Sequence, residues 1–171
     1  LELRPDSLFG VPGLVQAART GQVLVANALG SGVAEAPALA AFLPEACRQL
    51  LGEELLLPSV PTWWCGQQQS LHHVESRLDQ LIIRPAIMHR SERPILGWEL
   101  SKSQREDLHS RLRSAPADFV AQEPIPHSTM PAWSENGIAP LRVGLRALAA
   151  ASGGTYSVMP GGLSRVAPTS E

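Results

Sequence analysis

Apolar residues recur at three- and four-residue intervals in several stretches of the chain, which is the pattern of amphipathic helices. Pro12 adds a further helix start, because proline is favoured in a first turn. Gly52 is placed to end one of these helices, and Ser101 with Gln104 has the spacing of a capping box. The predicted helices cover residues 13–20, 37–51, 67–78 and 101–113.

Shorter apolar runs between turn-forming residues predict strands. They cover residues 22–26, 55–57, 81–85, 117–123, 141–151 and 155–159, with a loop or hairpin over 87–100. Gly153 and Gly154 favour a hairpin between the last two strands, because glycine adopts the positive φ that tight turns need. The adjacent Trp63 and Trp64 are expected to point in opposite directions; either one fills the core while the other lines a cleft or rim, or both fill the core. The order of elements predicts an α+β fold.

Composition narrows the class of protein. The 171 residues, 44% of them apolar, suffice for one compact domain or two small lobes that share a core. A net charge of -2 gives no basic excess, so nucleic acid is not an expected partner. No apolar run approaches a membrane span and no signal peptide is evident. Cys47 and Cys65 lack metal-ligand spacing and are predicted to be free thiols, which favours a cytoplasmic location.

Several polar positions lie where a ligand could bind. Arg142 and Arg165 flank the predicted hairpin, as a phosphate site would require, although solvated surface arginines are the alternative. The segment 27–33 is punctuated by glycines and follows a predicted strand; it is either a phosphate or metal loop or an ordinary turn. Arg84 ends a strand, where it either protects a sheet edge or faces a ligand. His72 and His73 are predicted to be a solvated pair, since neighbouring helical positions diverge.

Four segments together carry a resemblance to a known family. They are 25–33 (Val-Ala-Asn-Ala-Leu-Gly-Ser-Gly-Val), 55–66 (ending Pro-Thr-Trp-Trp-Cys-Gly), 119–123 (Phe-Val-Ala-Gln-Glu) and 158–167 (Val-Met-Pro-Gly-Gly-Leu-Ser-Arg-Val-Ala). In these motifs the chain resembles the circularly permuted ATP-grasp family, type 2. The resemblance spans nearly the whole chain. It implies an ATP-grasp-like fold of two α+β lobes, partial or permuted, that binds ATP and magnesium.

The resemblance also implies a reaction and a division of the chain. Enzymes of this kind activate a carboxylate as an acyl phosphate and let an amine attack it, as peptide-forming ligases and glutathionylspermidine synthases do. Residues 1–66 are expected to form part of a central, metal-side lobe. Residues 67–167 form the nucleotide-side lobe with an antiparallel sheet, and residues 168–171 form a disordered tail.

Nucleotide-binding roles follow from the resemblance. Arg84 occupies a position similar to that of the family's phosphate-binding lysine, and either cation neutralises phosphate. Gln122 and Glu123 resemble the hinge strand that contacts adenine and ribose. Gly30 and Gly32 are expected to let backbone groups approach the bound cofactor.

Metal and catalytic roles follow in the same way. Asn27 is similar to a metal-binding asparagine, since magnesium takes hard oxygen ligands. Arg142 and Arg165 are expected to steady the γ-phosphate and the acyl phosphate. Val25, however, stands where the resemblance leads us to expect a glutamate. The resemblance also implies an acidic, arginine-rich segment ahead of residues 1–5, which this sequence does not contain. Two hypotheses follow: a ligase completed by an upstream segment of a longer chain, or a catalytically incomplete nucleotide- or protein-binding module.

Overall fold

The computed structural model describes residues 11–26, 30–87, 93–134 and 137–167. The chain divides into two compact units, Leu1–Glu123 and Pro124–Glu171. A strand that precedes residue 66, the boundary predicted between the two lobes, pairs with a strand far beyond it. Local sequence patterns do not indicate which of the distant strands pair with each other. The assignment of metal-side and nucleotide-side lobes stays a prediction.

The helices of the first unit follow the predicted pattern with one exception. They are α1 (Leu14–Arg19), α2 (Leu43–Leu51), α3 (Gln68–Ser76) and α4 (Lys102–Ser114), with 3-10 helices at Ser31–Glu35, Pro37–Ala41, Leu78–Gln80, Gly97–Glu99 and Pro116–Asp118. The helix predicted over 37–51 is two elements, because Pro44 begins α2 as a residue of its first turn and cannot continue a preceding helix. None of the helices in the described ranges is long and apolar enough to cross a membrane.

Local end signals are confirmed. At the start of α4, the Ser101 hydroxyl accepts from the Gln104 backbone N–H at 3.3 Å, and the Gln104 side chain accepts from the Ser101 N–H at 2.9 Å. This is the predicted capping box. Gly52 follows α2 with a φ of 69°, as expected of a glycine that ends a helix.

A four-stranded antiparallel sheet organises the first unit. Its strands are β1 (Thr62–Trp64), β2 (Ile82–Pro85), β3 (Ile95–Leu96) and β4 (Phe119–Gln122), in the order β1-β4-β2-β3. The strands predicted over 81–85 and 117–123 are confirmed as β2 and β4. Within the predicted loop or hairpin, β3 pairs back onto β2. Helices together with antiparallel sheets make this the predicted α+β class.

The core lies between one face of this sheet and α3 with α4. The sheet places Ala121, Ile83 and Ile95 in register on that face. The fully buried cluster contains Cys65, Val74, Leu78, Leu81, Ile83, Leu108, Leu112 and Ala121. On the opposite face Val120 is also buried, and the 3-10 helix Pro37–Ala41 contacts the sheet there, with the Ala38 N–H donating to the Ala86 carbonyl at 3.1 Å.

The two adjacent tryptophans have different surroundings, as predicted. Trp63 packs against the core cluster. Trp64 meets the Phe42 ring with centroids 5.8 Å apart and donates its indole N–H to the Ala117 carbonyl at 2.9 Å. The two rings therefore pack on opposite faces of the sheet.

Two predicted strands are wrong. Residues 22–26 and 55–57 have no strand partner in the described chain, and Leu24, Leu56 and Leu57 are more than four-fifths exposed. An apolar run becomes a strand only where a neighbouring strand accepts its backbone hydrogen bonds. Near the second run, Pro58 and Pro61 also remove two of the donors that pairing would need.

The second unit is a three-stranded antiparallel sheet. Its strands are β5 (Thr129–Ser134), β6 (Gly137–Ser152) and β7 (Thr155–Ala167), in that order. The predicted hairpin is confirmed, with Gly153 and Gly154 at φ of 57° and 79° in the turn. Both strands run well beyond their predicted ends.

The Met-Pro-Gly-Gly motif forms an irregularity in β7. Ala147 pairs with Gly162, but Ala149 pairs with Val158, so three residues of β7 (159–161) oppose the single Leu148. Proline cannot donate to the ladder, and Gly161 has a φ of 149° that side chains disfavour. The motif therefore bends the hairpin at a fixed point.

A glycine in the core permits a close backbone approach. A Cβ atom at Gly97 would overlap the Leu78 carbonyl oxygen and lie 2.9 Å from that of Leu81. We expect Gly97→Ala to lower the free energy of unfolding by about 1–3 kcal/mol, as overpacking does. Gly32→Ala is the control, since no atom lies within 4 Å of the position that its Cβ would take. Equal thermal unfolding midpoints for the two variants would contradict the packing at Gly97.

Candidate functional site

The end of β4 carries a polar pair at the edge of the core. Gln122 is half-buried, and its side-chain amide N–H donates to the Thr62 hydroxyl of β1 at 3.1 Å. Thr62 in turn donates to the Val60 carbonyl at 2.8 Å. This chain of hydrogen bonds fixes the Gln122 amide so that its oxygen is the group it presents as an acceptor.

The neighbouring Glu123 is held from two sides. Its backbone N–H donates to the Pro61 carbonyl at 3.1 Å, and its carboxylate lies 3.7 Å from a guanidinium nitrogen of Arg77. Arg77 also lies 3.4 Å from the His73 ring, which stacks on Trp63 with centroids 4.3 Å apart. The glutamate is therefore positioned by a contact network that leads back to the core.

The prediction that His72 and His73 are both solvated is wrong for His73. His72 is exposed as expected, but His73 is partly buried because its ring stacks on Trp63 at 28° between planes. The sequence did not show that β1 lies beside α3. His73 belongs to the support of Glu123 rather than to the solvated surface.

Arg84 lies on the same face of the sheet as Gln122. In the register, Gln122 pairs with Ile82 and Val120 pairs with Arg84, so the two side chains are two rows apart on one face. The Arg84 Nε atom is buried and has no hydrogen-bond partner among the described residues. A buried N–H donor without a hydrogen bond destabilises the folded state, so a ligand that supplies an acceptor is favoured at this position.

Three arginines share one face of the β6–β7 hairpin. Gly144 pairs with Arg165, and Arg142 and Arg146 lie two residues to either side of Gly144. Because side chains alternate between faces, all three arginines lie on the same face. A Cβ atom at Gly144 would have no atom within 4 Å, which leaves a gap between the guanidinium groups. Sequence reasoning selected Arg142 and Arg165 and missed Arg146, although the two-residue spacing from Arg142 through Gly144 was visible.

The structure describes two further predicted site residues, Gly30 and Gly32. Gly30, with a φ of 93°, precedes the 3-10 helix Ser31–Glu35 that contains Gly32, and both glycines are exposed. Asn27 lies outside the described residues. Val25 is described and has no ligating atom, and the described part of the chain holds no group of three acidic, histidine or cysteine side chains that could bind a metal. These residues alone do not fit a magnesium ion.

The two cysteines are free thiols, as predicted. Cys65 is buried, and burial, with a smaller contribution from the Glu75 carboxylate, raises the pKa of its thiol to about 11. Glu75 is paired with Arg113 at 2.6 Å and lies 3.8 Å from His109, a link between α3 and α4. A thiol with so high a pKa is not a nucleophile at neutral pH, so this cluster is a structural contact.

Comparison with known families identifies the class of protein. The family model for circularly permuted ATP-grasp type 2 matches residues 1–167. The chain belongs to this family. The resemblance drawn from the four motifs is therefore confirmed over nearly the whole length.

Individual relatives are similar across the same range. An uncharacterised protein of Synechocystis sp. is 35% identical over 164 residues, which is 96% of this chain and 34% of that protein. A Frankia alni protein named "Putative glutamate--cysteine ligase 2-3" is 34% identical over 172 residues, 95% of this chain and 20% of that protein. An uncharacterised Mycobacterium tuberculosis protein is 36% identical over 166 residues, 97% and 18% respectively. The chain thus spans about a fifth to a third of these relatives.

Proposed function

We propose that this chain supplies phosphate- and adenine-binding residues to an ATP-dependent carboxylate–amine ligase. The observation that carries the proposal is the face of the β6–β7 hairpin on which Arg142, Arg146 and Arg165 surround the open position over Gly144. Three guanidinium groups on one rigid ribbon suit the polyanionic charge that develops in phosphoryl transfer. Membership of an ATP-grasp family supports ATP as the source of that phosphoryl group.

The proposed reaction has two steps. A carboxylate oxygen of the substrate attacks the γ-phosphorus, the bond to the β-phosphate oxygen breaks, and ADP leaves with the negative charge. An amine nitrogen then attacks the acyl carbon of the resulting acyl phosphate, inorganic phosphate leaves, and the nitrogen releases a proton to solvent. In both steps Arg142 and Arg165 stabilise charge on phosphate oxygens.

Adenine recognition is assigned to the end of β4. The Gln122 oxygen is a fixed acceptor, since its amide nitrogen is engaged by Thr62. An adenine amino group is a matching donor. Glu123 is assigned to the ribose hydroxyls, and Arg84, with its unpartnered Nε, to a phosphate oxygen on the same sheet face.

Only one residue of this chain is assigned to magnesium binding. Asn27 is the proposed oxygen ligand, and when bound, magnesium neutralises phosphate charge. The described residues contain no cluster of three acidic, histidine or cysteine side chains, so we assign no second metal ligand among them. No step of the proposed mechanism relies on the ion.

A second candidate function has one observation in its favour. By the resemblance, residue 25 is the position of a metal-binding glutamate, and the valine side chain found there has no oxygen. A member without a metal site binds nucleotide or a protein without turnover. This candidate predicts ATP binding with no ADP release from the whole protein.

A narrower proposal concerns the chemical classes of the two substrates. The Frankia alni relative is named for joining glutamate to cysteine, a carboxylate to an amine. We infer that this chain acts on substrates of the same two classes. An ADP-release assay on the whole protein with a panel of amino acids, glutathione and polyamines tests this and separates the ligase from the binding module.

Gln122→Ala is expected to weaken ATP binding by about tenfold, because the lost acceptor is worth roughly 1–1.5 kcal/mol when the bound group is desolvated. Isothermal titration calorimetry with ATP and GTP measures the change, and the preference for ATP should fall in the variant. Gln69→Ala, on the exposed side of α3, is the matched control. Unaltered ATP affinity and unaltered base preference in Gln122→Ala would refute the adenine assignment.

A further inference from the structure

A second group of arginines lies in the first unit, around a cavity of about 220 Å³ where β2 ends and β4 begins. The described residues that line it are Ile83, Arg84, Pro85, Arg93, Ile95, Arg111 and Phe119. Three of these seven are arginines and none is acidic. The cavity is therefore lined by both apolar and cationic side chains.

The arginines of this cavity differ from most other described arginines of the unit. Arg48, Arg77 and Arg113 each form an ion pair with a glutamate. Neither Arg93 nor Arg111 forms an ion pair with any described residue, and the buried Nε of Arg84 has no hydrogen-bond partner within the described ranges. Cations gathered without a counter-charge repel one another, and an anion between them removes that cost.

Two described carboxylates lie near the cavity, and neither is ion-paired with Arg111. Asp118 lines an adjoining cavity together with Arg111, and Asp107 lies one helical turn before Arg111, but neither is within ion-pairing distance of it. Arg111 instead lies over the Phe119 ring, 5.4 Å from its centroid. This contact holds the guanidinium beside the cavity while its N–H donors remain available.

Most residues that line the cavity lie on a different face of the sheet from the proposed adenine contact; Arg84, which is on the Gln122 face, is the exception. Ile83, Ile95 and Phe119 belong to the face that packs on the helices, whereas Gln122 lies on the opposite face.

We infer that this cavity is an oxyanion site that binds a phosphate group, with Arg93 and Arg111 as its principal donors. The inference goes beyond the proposed function, which assigns no role to either residue. Guanidinium groups match phosphate because each presents paired N–H donors to two oxygens. The phosphate belongs either to a separate small ligand or to the nucleotide.

The test uses inorganic pyrophosphate and ATP, each titrated into the 171-residue protein by calorimetry at low ionic strength. Arg111→Gln and Arg93→Gln are each expected to weaken pyrophosphate binding by about tenfold, the effect of losing a charged hydrogen bond. Lys102→Gln, the same charge change at the exposed start of α4, should leave it within about twofold once screening is considered. Arg93 has no ring contact among the described residues, so its variant tests the site even if Arg111→Gln disturbs packing.

Two results support the site and identify the source of the phosphate. If both variants weaken pyrophosphate and ATP alike, the group belongs to the nucleotide. If only pyrophosphate binding weakens, it belongs to a separate ligand. Absence of pyrophosphate binding to the parent protein, or equal affinity in Arg93→Gln, Arg111→Gln and Lys102→Gln, overturns the inference. ATP binding that persists in that case leaves the proposed function standing.

Discussion

Arg165→Gln is expected to lower the rate of ADP release from the whole protein by about 100-fold or more, because it removes a fixed cation from the point where phosphoryl charge develops. Arg165 is exposed on β7, opposite Gly144, and no atom of the described residues lies within 4 Å of the position that a Cβ of Gly144 would take. The folded state should therefore lose no more than about 0.5 kcal/mol, as for other surface substitutions. A large kinetic effect with an unchanged unfolding midpoint is the expected combination.

Ser164→Ala is the matched control for this variant. Ser164 precedes Arg165 in β7 and pairs with Leu145, so it lies on the other face of the hairpin. It should release ADP at the parent rate. Arg146→Gln should resemble Arg165→Gln, since both flank the same open position. If Arg165→Gln and Ser164→Ala release ADP equally fast, the arginine face has no part in phosphoryl transfer.

Local signals in the sequence were sufficient for several elements. The capping box of α4 depends only on Ser101 and Gln104, which are three residues apart. The hairpin of the second unit depends on two adjacent glycines with positive φ. In each case the residues that determine the structure lie within one turn of one another, so the pattern contains the necessary information.

The pairing of strands that are far apart in the sequence could not be predicted from local patterns. Trp63 pairs with Ala121, nearly sixty positions away, and this pairing places β1 beside β4 and moves the division of the chain to residue 123. The exposed run 55–57 shows the converse, because apolar character alone does not provide a partner strand. Neither outcome follows from spacing within a window of ordinary length.

The candidate site likewise contains some features that the local sequence predicts and others that depend on the fold. The motif residues Gln122 and Glu123 were identified from sequence, but their supports, Thr62 and Arg77, became evident only from the fold. Arg146 was missed because its shared face with Arg165 depends on the strand register. The arginine cavity was missed because Arg93 and Arg111 come from separate elements that meet only when α4 packs on the sheet.

Packing under β4 provides the largest expected change in stability. Leu112 of α4 is fully buried in the cluster that also contains Ala121, the residue before Gln122. Leu112→Ala should lower the free energy of unfolding by about 2–5 kcal/mol, through lost transfer free energy and the cavity left behind. Leu51→Ala removes the same atoms from a side chain that is 68% exposed and should cost about 0.5 kcal/mol or less.

Urea unfolding followed by tryptophan fluorescence measures both variants, and a lower midpoint with an unchanged slope identifies a loss of stability in the folded state. Trp63 reports on this unit directly, because it packs on the same cluster. Below the transition, Leu112→Ala should still bind ATP, since Gln122 and Arg84 lie on the opposite face of the sheet. Similar midpoints for Leu112→Ala and Leu51→Ala would mean that α4 is not packed as described, and the cavity that Arg111 lines would then lose its structural basis.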